Sequence, residues 1–176
     1  MIVGYLLIGS DNDTFMYEGV QHDNPPLCTK CGYLKKFDYH NPFYKQKKKT
    51  FDVSHPYDFG FIVSLKFKEF CERNNYGNIL FKEFEQSPGF YQLIITRNLP
   101  FSGRLLTKHC EVCGNYEEAI GPKATFSYAL PDGFYRSDIA FGTRNRKSYL
   151  EIVAPDTYVK MKKEKFKGLY FEKIEA

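Results

Sequence analysis

The pattern of apolar and polar positions repeats between residues 61–85 and residues 151–175. The two segments align without gaps at a constant offset of 90 (151 − 61), and each contains a short β-branched run, a polar stretch, a turn with glycine and a second apolar run. A β-branched run favours a strand, and a polar stretch with apolar residues at helical spacing favours a helix. We therefore predict a strand, a helix and a strand in each segment.

The aligned positions share their character through all three predicted elements, which favours an internal duplication over a coincidence between two generic units. The helical faces agree less well, since the first copy has an apolar stripe at Phe67, Phe70 and Cys71. The second has only Tyr158 and Met161. The matched pairs are Ile62 with Ile152, Val63 with Val153, Ser64 with Ala154, Tyr76 with Phe166, Ile79 with Leu169, Phe81 with Phe171, Phe84 with Ile174 and Glu85 with Glu175.

Local signals mark the ends of both predicted helices. Ser64 can accept a hydrogen bond from an early backbone amide of the first helix. Pro155 suits the first turn of the second helix, where its missing N–H is not needed. Gly77 and Gly168 lie near the expected C-terminal ends, where a left-handed residue often ends a helix.

The rest of the chain alternates between apolar runs and polar loops. Residues 1–13 predict a first strand, because their apolar run lacks the positive charge and cleavage site of a signal peptide. Residues 90–96 predict another strand. Proline and glycine predict loops at residues 21–27, 40–58, 86–89 and 121–133.

These elements predict an α+β fold. We expect two related strand–helix–strand halves with small sheets, one at residues 1–90 and the other at residues 91–176, which together form one structural unit. Aromatic residues make up 18% of the chain, with 17 Phe, 14 Tyr and no Trp, so the core should be built largely from Phe and Tyr.

Composition also limits the setting of the protein. Hydrophobic residues at 43% and charged residues at 26% are typical of a soluble globular protein. No stretch approaches the roughly 20 apolar residues that span a bilayer, so we expect no membrane partner. A reducing cytoplasm is the expected compartment, where paired cysteines indicate metal binding or catalysis before disulfides.

Net charge is mildly positive, at +4 with a pI of about 8.7. The excess is concentrated in KQKKK at residues 45–49 and KMKKEKFK at residues 160–167. Such runs are usually solvated faces or loops. Phosphate binding is the less favoured interpretation, since neither run has the interleaved aromatics and arginines of a single-strand platform.

Four of the five cysteines lie in two matched turns, CTKCG at residues 28–32 (the first knuckle) and CEVCG at residues 110–114 (the second knuckle). Glycine after the second cysteine permits a left-handed conformation, from which the next amides can point toward the sulfurs. Two such turns supply four thiolates, enough for a closed tetrahedral zinc site. We predict one structural zinc ion per chain, which pins the two halves together, with the ligands Cys28, Cys31, Cys110 and Cys113.

Other interpretations of the cysteines remain open at this point. Four thiolates also suit an iron–sulfur centre, and a single CxxC suits a thioredoxin-like redox pair. Buried free thiols are a third possibility. His22 or His109 could replace a cysteine as a ligand, although four cysteines leave neither needed. Cys71 lies on the apolar helical stripe, so we interpret it as a core residue.

Enzyme signatures are missing from the sequence, which has no P-loop, no GxGxxG after a strand, no HExxH and no GxSxG. Asp132 and Asp138 flank Arg136 and could form a carboxylate pair with it, but turn and surface roles after Pro131 are the favoured interpretation. The sequence therefore predicts a non-enzymatic protein.

The order and spacing of these motifs resemble the bacterial double-CxxCG motif family, which is grouped with immunity proteins of polymorphic toxin systems. The resemblance is carried by CTKCG, CEVCG, LPDGFYRSDIAFG at residues 130–142 and IVAPDTYVKMKKEKFKGLYFEKI at residues 152–174. It implies zinc-knuckle ligands at the four paired cysteines, a bacterial cytoplasm and the binding and silencing of a cognate protein toxin. The positive charge would then suit a toxin with an acidic face, or a mostly apolar contact.

Two other functions remain open. A zinc-ribbon nucleic-acid-binding or regulatory module is the main alternative, based on the lysine runs and on exposed tyrosines. A thiol redox enzyme is the third, and it requires a reactive thiolate. Salt dependence separates the first from an apolar protein interface, because phosphate binding weakens steeply as salt rises.

Overall fold

The computed structural model describes residues 1–17, 27–58 and 60–175, and its fold is α+β as predicted, mostly β with two helices in those residues. The helices are α1 (Leu65–Arg73) and α2 (Pro155–Glu164). The strands are β1 (Ile2–Asp11), β2 (Val53–His55), β3 (Phe61–Ser64), β4 (Ile79–Phe84), β5 (Ser87–Ile95), β6 (Asn98–Leu99), β7 (Phe101–Thr107), β8 (Glu118–Ala124), β9 (Phe134–Ser137), β10 (Phe141–Thr143), β11 (Arg146–Ser148), β12 (Glu151–Val153) and β13 (Leu169–Glu175).

The described strands form two sheets, one of them larger than the small sheets predicted. A mixed nine-stranded sheet has the order β4-β5-β3-β2-β1-β12-β9-β6, with β13 paired to β1. A four-stranded antiparallel sheet has the order β11-β10-β8-β7. Strands from both sides of residue 90 share the larger sheet. The proposed division at residue 90 is not tested by this arrangement and stays a prediction.

The first strand, β1, is central to the larger sheet. It pairs antiparallel with β12 and with β13, and parallel with β2 at its C-terminal end. Strand β5 has a comparable place, because it pairs antiparallel with both β3 and β4. The pairing partners of these two strands are also related by the offset of 90. Tyr91 of β5 pairs with Val63 and Glu83, and Tyr5 of β1 pairs with Val153 and Lys173.

Helices and the smaller sheet cover opposite faces of the larger sheet. Successive residues of a strand point to opposite faces. In β12, Val153 packs with the helix residues Phe67 and Met161 in one core, whereas Ile152 packs with Phe101 of the smaller sheet in a second core. The result is a helix layer, a large central sheet and a small outer sheet.

The helix-side core is rich in phenylalanine, as the composition predicted. Phe67 lies 5.1 Å from Phe166 and 6.0 Å from Phe134, measured between ring centroids. Phe70 lies 5.4 Å from Phe166 and approaches it edge-on. Cys71 is buried in the same cluster, which confirms its interpretation as a core residue. Burial of this many aromatic side chains supplies much of the driving force for folding.

The predicted helix starts are confirmed, and Gly77 and Gly168 each lie four residues (77 − 73 and 168 − 164) beyond the last helical residue. Ser64 caps α1 and accepts from the Phe67 amide at 3.4 Å, and Pro155 is the first residue of α2. The left-handed residues that follow the helices are Asn75 (φ 55°) and Lys165 (φ 51°). Both helices therefore end before the glycines. No helix in the described residues combines the length and apolarity needed to cross a membrane.

One buried carboxyl lies at the start of β12. Glu151 is 8% exposed, and burial raises its pKa to about 8 although the positive charge of Arg136 acts to lower it. Among the described residues, no group forms a hydrogen bond with its Oε2 atom. A buried carboxyl of this kind is held in its neutral form at neutral pH.

Candidate metal centre

The two knuckles occupy different places in the fold. The first lies between Leu27 and Leu34, which form an isolated antiparallel bridge. The second lies in the connection between β7 and β8, where Thr107 pairs with Glu118. Antiparallel pairing therefore closes the base of each turn and brings its two cysteines into position.

The backbones of the two turns make the same hydrogen bonds. The Gly32 amide donates to the Cys28 carbonyl at 2.9 Å, and the Cys28 amide donates to the Tyr33 carbonyl at 2.8 Å. The Gly114 amide donates to the Cys110 carbonyl at 2.7 Å, and the Cys110 amide donates to the Asn115 carbonyl at 2.9 Å. Each set is related to the other by 82 residues (110 − 28). The two turns are therefore copies of one local structure.

A left-handed glycine completes each turn, as the sequence predicted. Gly32 has a φ of 74° and Gly114 a φ of 73°. A side chain at either position would strain the backbone. The glycines thus explain why both motifs read CxxCG and not CxxC alone.

The four paired cysteines lie together and could hold a metal ion. Their Sγ atoms all lie within 4.8 Å of one another. Across the two knuckles, the Sγ atoms of Cys28 and Cys110 are 3.8 Å apart and those of Cys31 and Cys113 are 3.7 Å apart. A tetrahedron with Zn–S bonds of about 2.3 Å has edges of about 3.8 Å, so the donor set fits zinc in number, chemistry and spacing.

Backbone amides favour thiolates at the first cysteine of each turn. The amides of Cys31 and then Lys30 lower the pKa of Cys28 to about 6. The amides of Cys113 and then Val112 lower the pKa of Cys110. The second cysteine behaves differently, because burial raises the pKa of Cys31 to about 12. The amides that act on the first cysteine thus precede the glycine in both turns, whereas the sequence predicted those that follow it; the Tyr33 amide, which follows Gly32, acts to lower the pKa of Cys31.

Contacts outside the sulfurs also join the two knuckles. Asn115 Nδ2 donates to the carbonyls of Leu34 and Lys35, at 3.2 Å in each case. Lys30 pairs with Glu111 at 2.9 Å, although both side chains are exposed and the pair adds little stability. Asn115 thus ties the residues after the first knuckle to the second.

A buried lysine lies beside the centre. Lys147 is 2% exposed, donates to the Tyr116 carbonyl and lies 5.1 Å from the centroid of Phe37. Burial lowers its pKa, while negative charge at Cys113 and Cys31 would raise it. An ammonium here would offset part of the charge of a thiolate cluster. Nothing in the sequence pattern marked Lys147, since burial of a lone lysine has no local signal.

Of the two histidines considered as ligands, His109 is not part of this cluster. His109 is exposed, and its ring lies 4.9 Å from that of Tyr116. His22 lies outside the described residues. The only group of possible metal ligands found in the described part of the chain consists of the four cysteines themselves.

Arg136 does not form the carboxylate pair considered for it. Its guanidinium pairs instead with Asp38 at 2.8 Å. Asp132 accepts hydrogen bonds from Thr157 and Tyr76 at the start of α2, and Asp138 accepts from the Phe101 amide. Both aspartates therefore hold local structure, which agrees with the turn and surface roles favoured from the sequence.

The two lysine runs are partly engaged within the fold. Lys48 pairs with Asp13 at 2.7 Å, and Lys47 donates to the Asp13 carbonyl at 3.1 Å. In the second run, Lys160 pairs with Asp132 at 2.5 Å. Part of the charge of each run is therefore balanced internally, which leaves less of it for phosphates.

Comparison with known proteins identifies no relative: no family model, no curated protein and no solved structure matches the chain.

Proposed function

We propose that the four paired cysteines hold one structural zinc ion and that the protein acts by binding another protein, as an immunity protein that neutralises a cognate bacterial toxin. The observation that carries the zinc proposal is the tetrahedral spacing of four sulfurs on two copies of one turn. Four protein ligands leave no open position for water or substrate, which is typical of a structural site and not a catalytic one.

Zinc is favoured over the other interpretations by how the sulfurs are held. Two identical turns suit the paired ligands of a zinc knuckle, whereas a redox CxxC needs only one pair. The sulfur pairs at 3.7 and 3.8 Å join the two turns, so both turns must share one ion. One ion per chain therefore accounts for all four cysteines.

Two related strand–helix–strand halves are part of this proposal. The equivalent registers of Tyr91 and Tyr5 support it, and so do the rings around them. Tyr91 meets Phe81 edge-on at 6.2 Å, and Tyr5 meets Phe171 edge-on at 6.5 Å. The shared metal would then clip the two halves at their matched turns.

The toxin-binding part of the proposal rests on the resemblance of the motifs and on a structural metal in place of a catalytic one. The residues with distinctive chemistry hold the fold: the cysteines serve the metal, and Asp132 and Thr157 fix the start of α2. A non-enzymatic protein of this design acts through a surface, not through a reacting group. The expected activity is stoichiometric inhibition of a partner.

Native mass spectrometry of the protein isolated gently from its host tests both parts. We expect one zinc ion per chain and a co-isolated polypeptide in equal amount. Expression of that polypeptide alone should arrest growth, and co-expression of this chain should restore growth. Two zinc ions per chain, or no metal, would refute the shared site, and a co-isolated partner without toxicity would refute the immunity role.

A further inference from the structure

A groove of about 660 Å³ opens between the loop after the first knuckle and the outer strands of the larger sheet. One wall is the segment 35–40, and the floor includes Leu80 of β4 and Ile94 of β5, which pair directly across the two strands. Leu80 is 52% exposed and Ile94 is 7% exposed, and this pair lies on the sheet face opposite that of Leu93, which packs in the helix-side core. An apolar floor open to solvent suits a side chain from another molecule.

Positive charge surrounds this floor. Lys35, Lys36 and Lys82 line the groove, and all three are exposed. The lining also includes Arg136 and one carboxylate, Asp38, but these two are paired with each other at 2.8 Å. No carboxylate of the described residues lies within ion-pair distance of the three lysines. The three lysines therefore place positive charge beside the exposed side chain of Leu80. We call it the basic groove.

We propose that the basic groove binds an acidic segment of the protein partner, with carboxylates against Lys35, Lys36 and Lys82 and an apolar side chain on Leu80. This inference rests on the proposed function, since it assigns the surface that meets the partner. Charge complementarity selects the occupant: lysines on a protein surface attract carboxylates and steer their approach. The position of β4 adds a second attraction, because it is the outermost strand of its sheet in the described chain and its outer backbone groups can pair with an extended segment.

A protein segment fits this surface better than a nucleic acid does. Phosphate recognition favours arginine, whose guanidinium can bind two oxygens at once. Here the guanidinium of Arg136 already binds Asp38 and Asn98. The exposed Leu80 also has no counterpart in a sugar–phosphate backbone. The three lysines and the apolar floor together match an alternating acidic and apolar peptide.

The metal centre supports one wall of the groove. Asn115, next to the second knuckle, holds the carbonyl of Lys35. At the other end of the wall, the side chain of the buried Gln92 donates to the carbonyls of Asp38 and Tyr39, at 3.3 Å in each case. The segment that carries Lys35 and Lys36 is thus anchored to both the metal centre and β5. Loss of the metal should loosen this wall and weaken binding in the groove.

Fluorescence anisotropy with a labelled peptide of alternating glutamate and leucine tests the groove. The test variant is Lys35→Glu/Lys36→Glu/Lys82→Glu. Its matched control is Lys45→Glu/Lys49→Glu/Lys162→Glu, which changes the net charge equally at exposed lysines outside the groove. We expect saturable binding to the wild type, a loss of at least tenfold in the test variant and less than threefold in the control. A peptide of alternating glutamine and leucine should bind at least tenfold more weakly than the acidic one.

Several outcomes would overturn the inference. Equal loss in both variants would mean that only the overall charge attracts the peptide, and absence of saturable binding would mean that there is no site. Tighter binding of single-stranded DNA, lost in the test variant alone, would assign the groove to nucleic acid. Zinc content is measured in the same samples. A test variant that retains zinc and still neutralises the toxin would refute the role of the groove in binding, but not the proposed function. Peptide binding in the groove of a protein that has no toxic partner would refute the proposed function alone.

Discussion

Replacement of one sulfur ligand is the sharpest perturbation of the metal centre. In Cys110→Ser, we expect the zinc content to fall from one ion per chain to almost none. The free energy of unfolding should fall with it, because metal binding to such a site is coupled to folding. Cys110 is 6% exposed and a hydroxyl is close to a thiol in size, so loss of packing contributes little. The loss of stability should therefore come mainly from the metal.

The spacing of the knuckles sets the expected magnitude. An unfolded chain must close a loop of 82 residues (110 − 28) before both turns meet one ion, which costs about 4.5 kcal/mol of chain entropy by the cross-link formula. The unfolded chain therefore binds the ion poorly, and zinc stabilises the native state selectively. With free zinc at about 1,000 times its dissociation constant, that stabilisation is about 4 kcal/mol. We expect Cys110→Ser to lose this amount.

Urea denaturation in a zinc-buffered solution, together with elemental analysis of the protein, measures both quantities. Cys71→Ser is the matched control, because the same substitution falls in the apolar core at α1. It should lower stability by about 1–3 kcal/mol through burial of a hydroxyl, but retain the zinc and its sensitivity to a chelator. Retention of zinc and full stability by Cys110→Ser would refute the shared site. So would a wild-type protein whose stability does not change when a chelator is added.

Three further perturbations test the fold. Folding raises the pKa of Glu151 from 4.5 to about 8, so the unfolded chain loses this proton at lower pH than the native protein does, and stability should fall as pH rises from about 4.5 to about 8. In urea denaturations over this pH range, Glu151→Gln should reduce the fall in stability. An unchanged dependence of stability on pH would contradict the assignment. Phe67→Ala should destabilise by about 3–5 kcal/mol because the ring contacts Phe134 and Phe166 in the core, whereas the exposed Val159→Ala should change stability by less than about 0.5 kcal/mol. Ser64→Ala should lower the free energy of unfolding by about 1–2 kcal/mol, since the hydroxyl both caps α1 and donates to Asp52 at 2.8 Å. Ser64→Thr keeps the hydroxyl and should recover most of this loss in urea denaturation. Equal loss in both variants would argue against the cap.

Local patterns predicted the local structure well. The strand runs, the Ser64 cap, the stripe of Phe67 and Phe70 and the left-handed glycines of the knuckles all follow from spacing or backbone chemistry. The proximity of the four cysteines was also predicted, since one metal ion shared by the two matched CxxCG turns requires the turns to meet. The sequence did not indicate Asn75 and Lys165, which adopt the left-handed conformation that glycine usually provides.

Long-range pairing was the part that the sequence concealed. The four-stranded sheet was not predicted, and the predicted loop at residues 121–133 begins inside β8, where Gly121 and Pro122 interrupt the strand pattern. The Arg136–Asp38 pair and the burial of Lys147 were missed for a related reason: each depends on a neighbour far away in sequence. Periodicity reports which face of a strand is buried but not which strand lies beside it.

The central place of β1 has a consequence for the time at which the protein can fold. Both antiparallel neighbours of this strand, β12 and β13, lie between residues 151 and 175, with Ile2 paired to Glu175. On the ribosome, the apolar run at residues 2–8 must therefore wait for its antiparallel partners until residues 151–175 have been synthesised. Contacts of such high sequence separation slow folding, and a waiting apolar strand is prone to aggregate. The larger sheet should thus be completed only after residues 151–175 have been synthesised, and shortened chains that end before residue 151 should depend on chaperones to stay in solution.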